Sequence, residues 1–410
     1  MLHRSSHPGA PAHPVVGQRF EVLDSWRGVC ALLVAVFHLN QTLNWSLADA
    51  RAVLNFDLFV DFFFVLSGFV IATVYEDRLT AGFSVVKFAI RRLFRIYPLH
   101  LATLAAMMAL AVSRVLLPLS QFDPRAVFDG DIYDFSAIFT NLLLLQGIGF
   151  EDHFTWNFPS WSISAEFYTY LLFALIWAFA ARRALVVTLA LVVAIGAIFA
   201  MSANSPPVFM FLRCVFGFGI GVLVRQAFAG AGALRQRLAR NPASATALEI
   251  GAVLACAAFI WTAHEARWVA SILFALIVYV FALEAGLVSR LLRARPFLAL
   301  GKLSYSIYMV HVVLIFLVDR CVLSLQARTG WALTGPRVGA APDARFWGAD
   351  VVQGDLYLVC MLGLIIIVAA LTYAFIEEPG RDRGYALSAR WRGLGPVRRV
   401  TTTLARSRTK

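Results

Sequence analysis

Ten stretches of this chain are each long and apolar enough to cross a lipid bilayer, and that constrains its fold more than any other feature. They lie near residues 28–45, 58–76, 96–117, 160–180, 184–202, 208–228, 246–263, 268–287, 303–323 and 355–376. A hydrocarbon layer ~30 Å thick takes ~20 helical residues, and backbone groups in lipid must find partners within their own segment, so such runs become helices. With 60% of its 410 residues hydrophobic and 15% charged, the chain is excluded from the soluble enzymes. The expected class is an all-α integral membrane protein, about ten transmembrane helices in one polytopic bundle.

An eleventh apolar stretch, 136–149, is too short to decide by length. Basic residues concentrate in cytoplasmic loops, so their placement arbitrates. If 136–149 does not cross, 27 of the 36 Lys and Arg fall on one side; if it crosses, 19 of those 27 change sides. The segment is therefore expected to be re-entrant or buried, with Asn141 and Gln146 satisfied by a protein-lined cavity rather than bare lipid. Both termini are then cytoplasmic, and the acidic stretch 123–134 and the loop 326–353 face outward. The expected division is a flexible tail at 1–20, a transmembrane domain at 21–380 and a basic cytoplasmic tail at 381–410. A net charge of +12 would suggest a nucleic-acid partner in a soluble chain. Distributed this way it orients the protein against the lipid bilayer, and no nucleic-acid partner is expected. Five scattered cysteines, with no CxxC or HExxH, support neither a disulfide framework nor a metal site.

Ionisable groups inside spans cost roughly 2.5–3.5 kcal/mol each, so those present are functional candidates. His38 follows Arg27 by eleven residues, which turns both to one helical face, ~20° apart, with a rise of ~16 Å between them. That places Arg27 at the cytoplasmic surface and the imidazole near mid-depth. A positive-inside anchor and a packing histidine would look the same. Arg91, Arg92 and Arg95 precede the third span; Arg92 and Arg95 share a face and suit phosphate oxygens, although orientation alone also asks for arginines there. Asp61 sits near the outer end of the second span, Glu166 about two turns inside the outer end of its own. His311 follows Ser304 and shares a face with Tyr308. The glycines in GFGIGVLV (Gly217, Gly219, Gly221) lie inside an apolar helix and read as close packing, not as a nucleotide loop.

Several motifs occur in an order that resembles the acyltransferase-3 family of membrane acyltransferases, over roughly residues 20–382. LDSWRGVCALLVAVFH is similar to that family's opening LDGLRGIAALLVVLFH, with Arg27 and His38 in its Arg-x10-His pattern. FVDFFFVLSGFVIA resembles the second-helix signature and RRLFRIYP the Arg-x-x-Arg loop; PSWSISAEF, LGKLSYSIYMVH and FIEEP follow in order. Ser25 and Trp26 depart from the opening pattern, and Glu166 stands alone where many relatives carry two adjacent carboxylates. The resemblance implies transfer of an acyl group, most often acetyl, from cytoplasmic acyl-CoA to a hydroxyl of a cell-envelope glycan, a lipid-linked sugar or a secreted molecule, at the inner or plasma membrane and without a metal. On that footing Arg27, Arg92 and Arg95 hold the CoA phosphates. His38 acts as general base or transient acyl carrier, with Glu166 or His311 orienting it. Ser304 and Tyr305 donate to the oxyanion, and Asp61 and Asn141 join the acceptor contacts. A proton-coupled carrier of an anionic or lipid-linked substrate is the alternative, opposed by the lack of an inverted repeat.

Overall fold

A computed structural model describes residues 19–116, 131–201, 208–262, 267–337, 339–340 and 344–391. Most of the expected N-terminal tail, most of the acidic stretch 123–134 and the basic tail beyond 391 lie outside these residues. The helices are α1 (Glu21–Leu39), α2 (Phe59–Thr80), α3 (Val85–Leu116), α4 (Ala137–Leu142), α5 (Trp161–Leu175) and α6 (Ala184–Met201). They continue as α7 (Val208–Ala229), α8 (Gly232–Arg240), α9 (Pro242–Thr262), α10 (Val269–Ala282), α11 (Arg295–Thr329), α12 (Val351–Thr372) and α13 (Glu378–Arg390).

Eight helical segments among the described residues have the length and apolar character of a membrane span. One of them, Phe158–Met201, breaks at Ala181, whose φ of 41° no α-helix tolerates, and supplies two spans. The shorter α10 brings the apolar helices to the ten expected. The stretch 136–149 does not cross: α4 has six residues, ~9 Å of helix. Its Asn141 side chain donates to Ala137 O at 2.8 Å and Thr155 Oγ1 at 2.9 Å, and Gln146 donates to Ser160 Oγ at 3.2 Å.

Two helix pairs fix the bundle by backbone contact. Gly28 of α1 lies on the Leu300–Gly301 backbone of α11, and Gly301 lies on the backbone of Asp24 and Ser25. Gly68 of α2 meets the Phe218 carbonyl of α7, and Gly221 meets that of Val65. A methyl group at any of these positions would enter the partner helix, so the glycines of GFGIGVLV are packing residues, as small-residue interfaces in lipid require. The buried carboxylate of Glu249 in α9 accepts from the amides of Gly286 at 2.8 Å and Ser289 at 3.1 Å, satisfying the start of the short helix Leu287–Leu292.

Two boundaries differ from the sequence reading. The first span, placed at 28–45, is helical over 21–39, so His38 stands one residue from the end of α1 rather than midway along it. The chain leaves the helix there because Asn40 accepts from Trp45 Nε1 at 2.7 Å and Asn44 N–H bonds to Trp347 O at 2.9 Å. Trp347 belongs to a two-stranded hairpin, Thr334–Gly335 with Phe346–Trp347, in the long loop before α12. The expected boundary at 380 also falls inside a helix: residues 381–390 belong to α13, much of whose surface is exposed. Gly380 and Gly384 let α13 close on Pro98 and Phe94 of α3, and Arg91 Nε bonds to Ser388 Oγ at 2.9 Å.

Candidate active site

The glycine contact between α1 and α11 brings two histidines together. His38 Nδ1 lies 3.0 Å from His311 Nε2. Each imidazole also turns its Nδ1 to a carbonyl of its own helix, Val34 O at 3.0 Å for His38 and Ile307 O at 3.2 Å for His311. A carbonyl only accepts, so both rings in the neutral pair are assigned their hydrogen at Nδ1. His311 Nε2 is then an acceptor for the shared His38 Nδ1–H, and His38 Nε2 keeps a bare lone pair. His311 is fully buried and His38 half-buried, with the Phe158 ring 5.2 Å from the His38 ring.

Next to this pair is a cavity of about 150 Å³ lined by Arg27, Arg92 and Arg95 together with Glu166, Tyr170, Ser304, Tyr305 and Tyr308. Tyr308 is the shared wall, since it lines the cavity and its ring lies 5.9 Å from that of His311. Its hydroxyl is held by Ser162 Oγ at 2.8 Å and Pro159 O at 3.1 Å.

The three arginines are not equivalent. Arg95 pairs with Glu377 at 2.7 Å, and the other oxygen of Glu377 accepts from Ser306 at 2.8 Å. Arg92 lies in an aromatic cradle, 5.2 Å from the Tyr75 ring and 5.9 Å from those of Phe88 and Tyr170. Its Nε is buried without a hydrogen-bond partner. Arg27 makes one long contact, 3.5 Å, to Asp24. Arg91 faces away, between the rings of Phe83 and Tyr385, and secures α13. Ser304 Oγ is likewise buried in the cavity wall without a partner.

Of the groups expected beside His38, only His311 bonds to it. Glu166 instead accepts from Tyr170 OH at 2.5 Å, and that hydroxyl lies 2.9 Å from Ser67 Oγ, so the carboxylate belongs to the arginine cavity. Tyr305 lines the cavity but donates its hydroxyl to Ile96 O at 2.5 Å, which leaves Ser304 as the available donor. Asp61, expected among the acceptor contacts, is fully buried and gripped at both oxygens by Arg213, at 2.8 and 2.6 Å, as a carboxylate within an apolar span needs a cation. Asn141 belongs to the α4 network, where its backbone carbonyl oxygen lies 2.9 Å from His100 Nε2, and it does not line the cavity.

The sequence reading passed over Tyr75, Tyr170, Ser162 and Arg213. Arg213 carried a signal, a charge inside the apolar run VFMFLRCVFGF; the tyrosines did not stand out among 34 Phe and 11 Tyr. Among the described residues one grouping, Asp134, Glu151 and His153, brings ligand-type atoms within 4.8 Å of one another. It lies in the loops around α4, away from the cavity. Asp134 is taken by Ser136, Glu151 by Thr140 and His153 by Asp152.

Fold and site together define a polytopic membrane protein with an arginine-lined cavity beside a histidine pair. The family model for an acyltransferase domain matches residues 20–375, and the chain belongs to the acyltransferase-3 family. It is 31% identical over 194 residues to "Protein 2 in picA locus" of Rhizobium radiobacter, a match covering 46% of this chain and 96% of that protein. To "Acyltransferase MdmB" of Streptomyces mycarofaciens it is 38% identical over 120 residues, covering 28% of this chain and 27% of that protein. No solved structure matches.

Proposed function

We propose that the protein takes an acyl group, in the simplest case acetyl, from acyl-CoA and transfers it to a hydroxyl of an envelope glycan, a lipid-linked sugar or a secreted molecule. The observation that carries this reading is the shared Tyr308 wall: arginine and serine side chains line the cavity on one side of it, and the histidine pair stands on the other. Arg27 and Arg92 bind the phosphates of the donor, and Arg95, neutralised by Glu377, shapes the cavity wall.

His38 Nε2 takes the proton from the acceptor hydroxyl as its oxygen bonds to the thioester carbon. The C–S bond then breaks, and the proton passes from His38 to the departing thiolate, leaving an ester and free CoA. While His38 is an imidazolium, its Nδ1–H points at two acceptors, Val34 O and His311 Nε2, which stabilise the charge without moving. Ser304 donates to the oxyanion. The concentration of basic residues on one side supports a donor site, and both termini, on the cytoplasmic side. The acyltransferase-domain match and the lack of an inverted repeat in the sequence favour transfer over the carrier reading.

The test is an incubation of membranes containing the protein with acyl-labelled CoA. Label entering a glycan or lipid fraction in parallel with free thiol release supports transfer. Thiol release without acylated product would reassign the protein to thioester hydrolysis.

A further inference from the structure

A second cavity, of about 250 Å³, lies between α1, α2, α9 and α10 and takes no part in the chemistry above. Trp26 and Cys30 of α1, Phe62 of α2, Cys256 and Trp261 of α9 and Phe274 of α10 are among its walls, and every lining side chain is apolar, aromatic or a thiol. Apart from the unpartnered indole Nε1 of Trp26, such a space offers water little; an apolar cavity of ~150 Å³ stays dry and accepts benzene. By that measure this one holds roughly ten carbons.

Its opening is to lipid. Ala257 and Trp261 at its edge are exposed, Trp261 by 52%, and Leu254 beside them on α9 is exposed by 62%. The α9 lining runs from Val253 to Trp261, ~12 Å of helix, close to the ~15 Å hydrocarbon depth of one leaflet. One end is marked by polar groups: Asn55 and Asp57, on either side of the lining residue Phe56, both bind Arg267. A polar edge at one end and a dry channel of leaflet depth below it match a lipid chain hanging from its headgroup.

We propose that this cleft is a binding site for one hydrocarbon chain of a membrane phospholipid. The chain enters beside Ala257 and Trp261 and packs against Trp26 and Cys30 of α1, neither of which lines the arginine cavity. The site is independent of the acyl-transfer assignment.

The full-length protein in phosphatidylcholine nanodiscs, doped with a phosphatidylcholine carrying a diazirine midway along one chain, would be irradiated and its peptides mapped by mass spectrometry. Lipid-exposed α6, with Val186 and Val193 exposed by 66% and 62%, labels in every case and reports that the protein is embedded. Adducts are expected on the segment Trp26–Cys30 as well, although Cys30 is fully buried. Ala257→Trp, and separately Val253→Phe, should lower those adducts about tenfold, the effect of ~1.4 kcal/mol of lost binding, and leave α6 labelling unchanged. An unlabelled Trp26–Cys30 segment in the wild type overturns the proposal, as do adducts that persist undiminished in both variants.

Discussion

His38 and His311, 273 residues apart, share a hydrogen bond of 3.0 Å because their helices cross at Gly28 and Gly301. The bond accepts the His38 Nδ1 hydrogen and so leaves Nε2 bare. His311 is a positioning residue on this account. His311→Phe should lower kcat by about 10- to 100-fold, the worth of a ~1.5–3 kcal/mol hydrogen bond to a group that becomes charged, with KM for acyl-CoA unchanged. His311→Gln, which can present an acceptor at the same place, should recover part of the loss. Steady-state kinetics on the two variants checks this, and equal losses in both would assign His311 to packing.

Arg92 and Arg95 come from one Arg-x-x-Arg motif but should fail differently. Arg92 has an unpartnered buried nitrogen, so Arg92→Ala should raise KM for acyl-CoA about 10- to 100-fold and leave the fold intact. Calorimetric titration with a non-transferable acyl-CoA analogue measures the binding directly.

Arg95→Ala strands Glu377, whose side chain is 0% exposed, and should destabilise the protein by roughly 3–5 kcal/mol. Replacing both partners with Met should restore most of that stability, because the cost comes from the uncompensated charge. Thermal unfolding in detergent, followed by size-exclusion chromatography, compares the three proteins.

Asp61→Asn should behave as a stability variant and not as a substrate variant. It leaves Arg213 without its counter-ion in the bundle interior, and a loss of roughly 3–5 kcal/mol is expected, with KM for the acceptor unchanged in the protein that remains folded.

Much of this was legible in the sequence because a bilayer leaves few options. Spans must be long, apolar and helical, and basic residues declare one side, which settled the ten apolar helices and the non-crossing stretch at 136–149. The arginines and Glu166 were found for a similar reason: a polar group in such a chain is conspicuous. Function within that set was harder to read. Asp61 looked like a ligand because its partner Arg213 lies 152 residues away, and Glu166 was assigned to His38 because helix rotation about a distant axis is not written in local spacing. The early end of α1 escaped for the same reason, since its cause is a contact with Trp347, and the helix content of 381–390 stayed open because the glycines of α13 fit Phe94 and Pro98 rather than any local pattern.

The central claim is that His38 Nε2 is the base. The most direct measurement is acyl transfer by purified His38→Ala alongside its affinity for acyl-CoA. The account predicts a fall in kcat on the order of 10²- to 10⁴-fold with acyl-CoA binding retained. Transfer at the wild-type rate would contradict it.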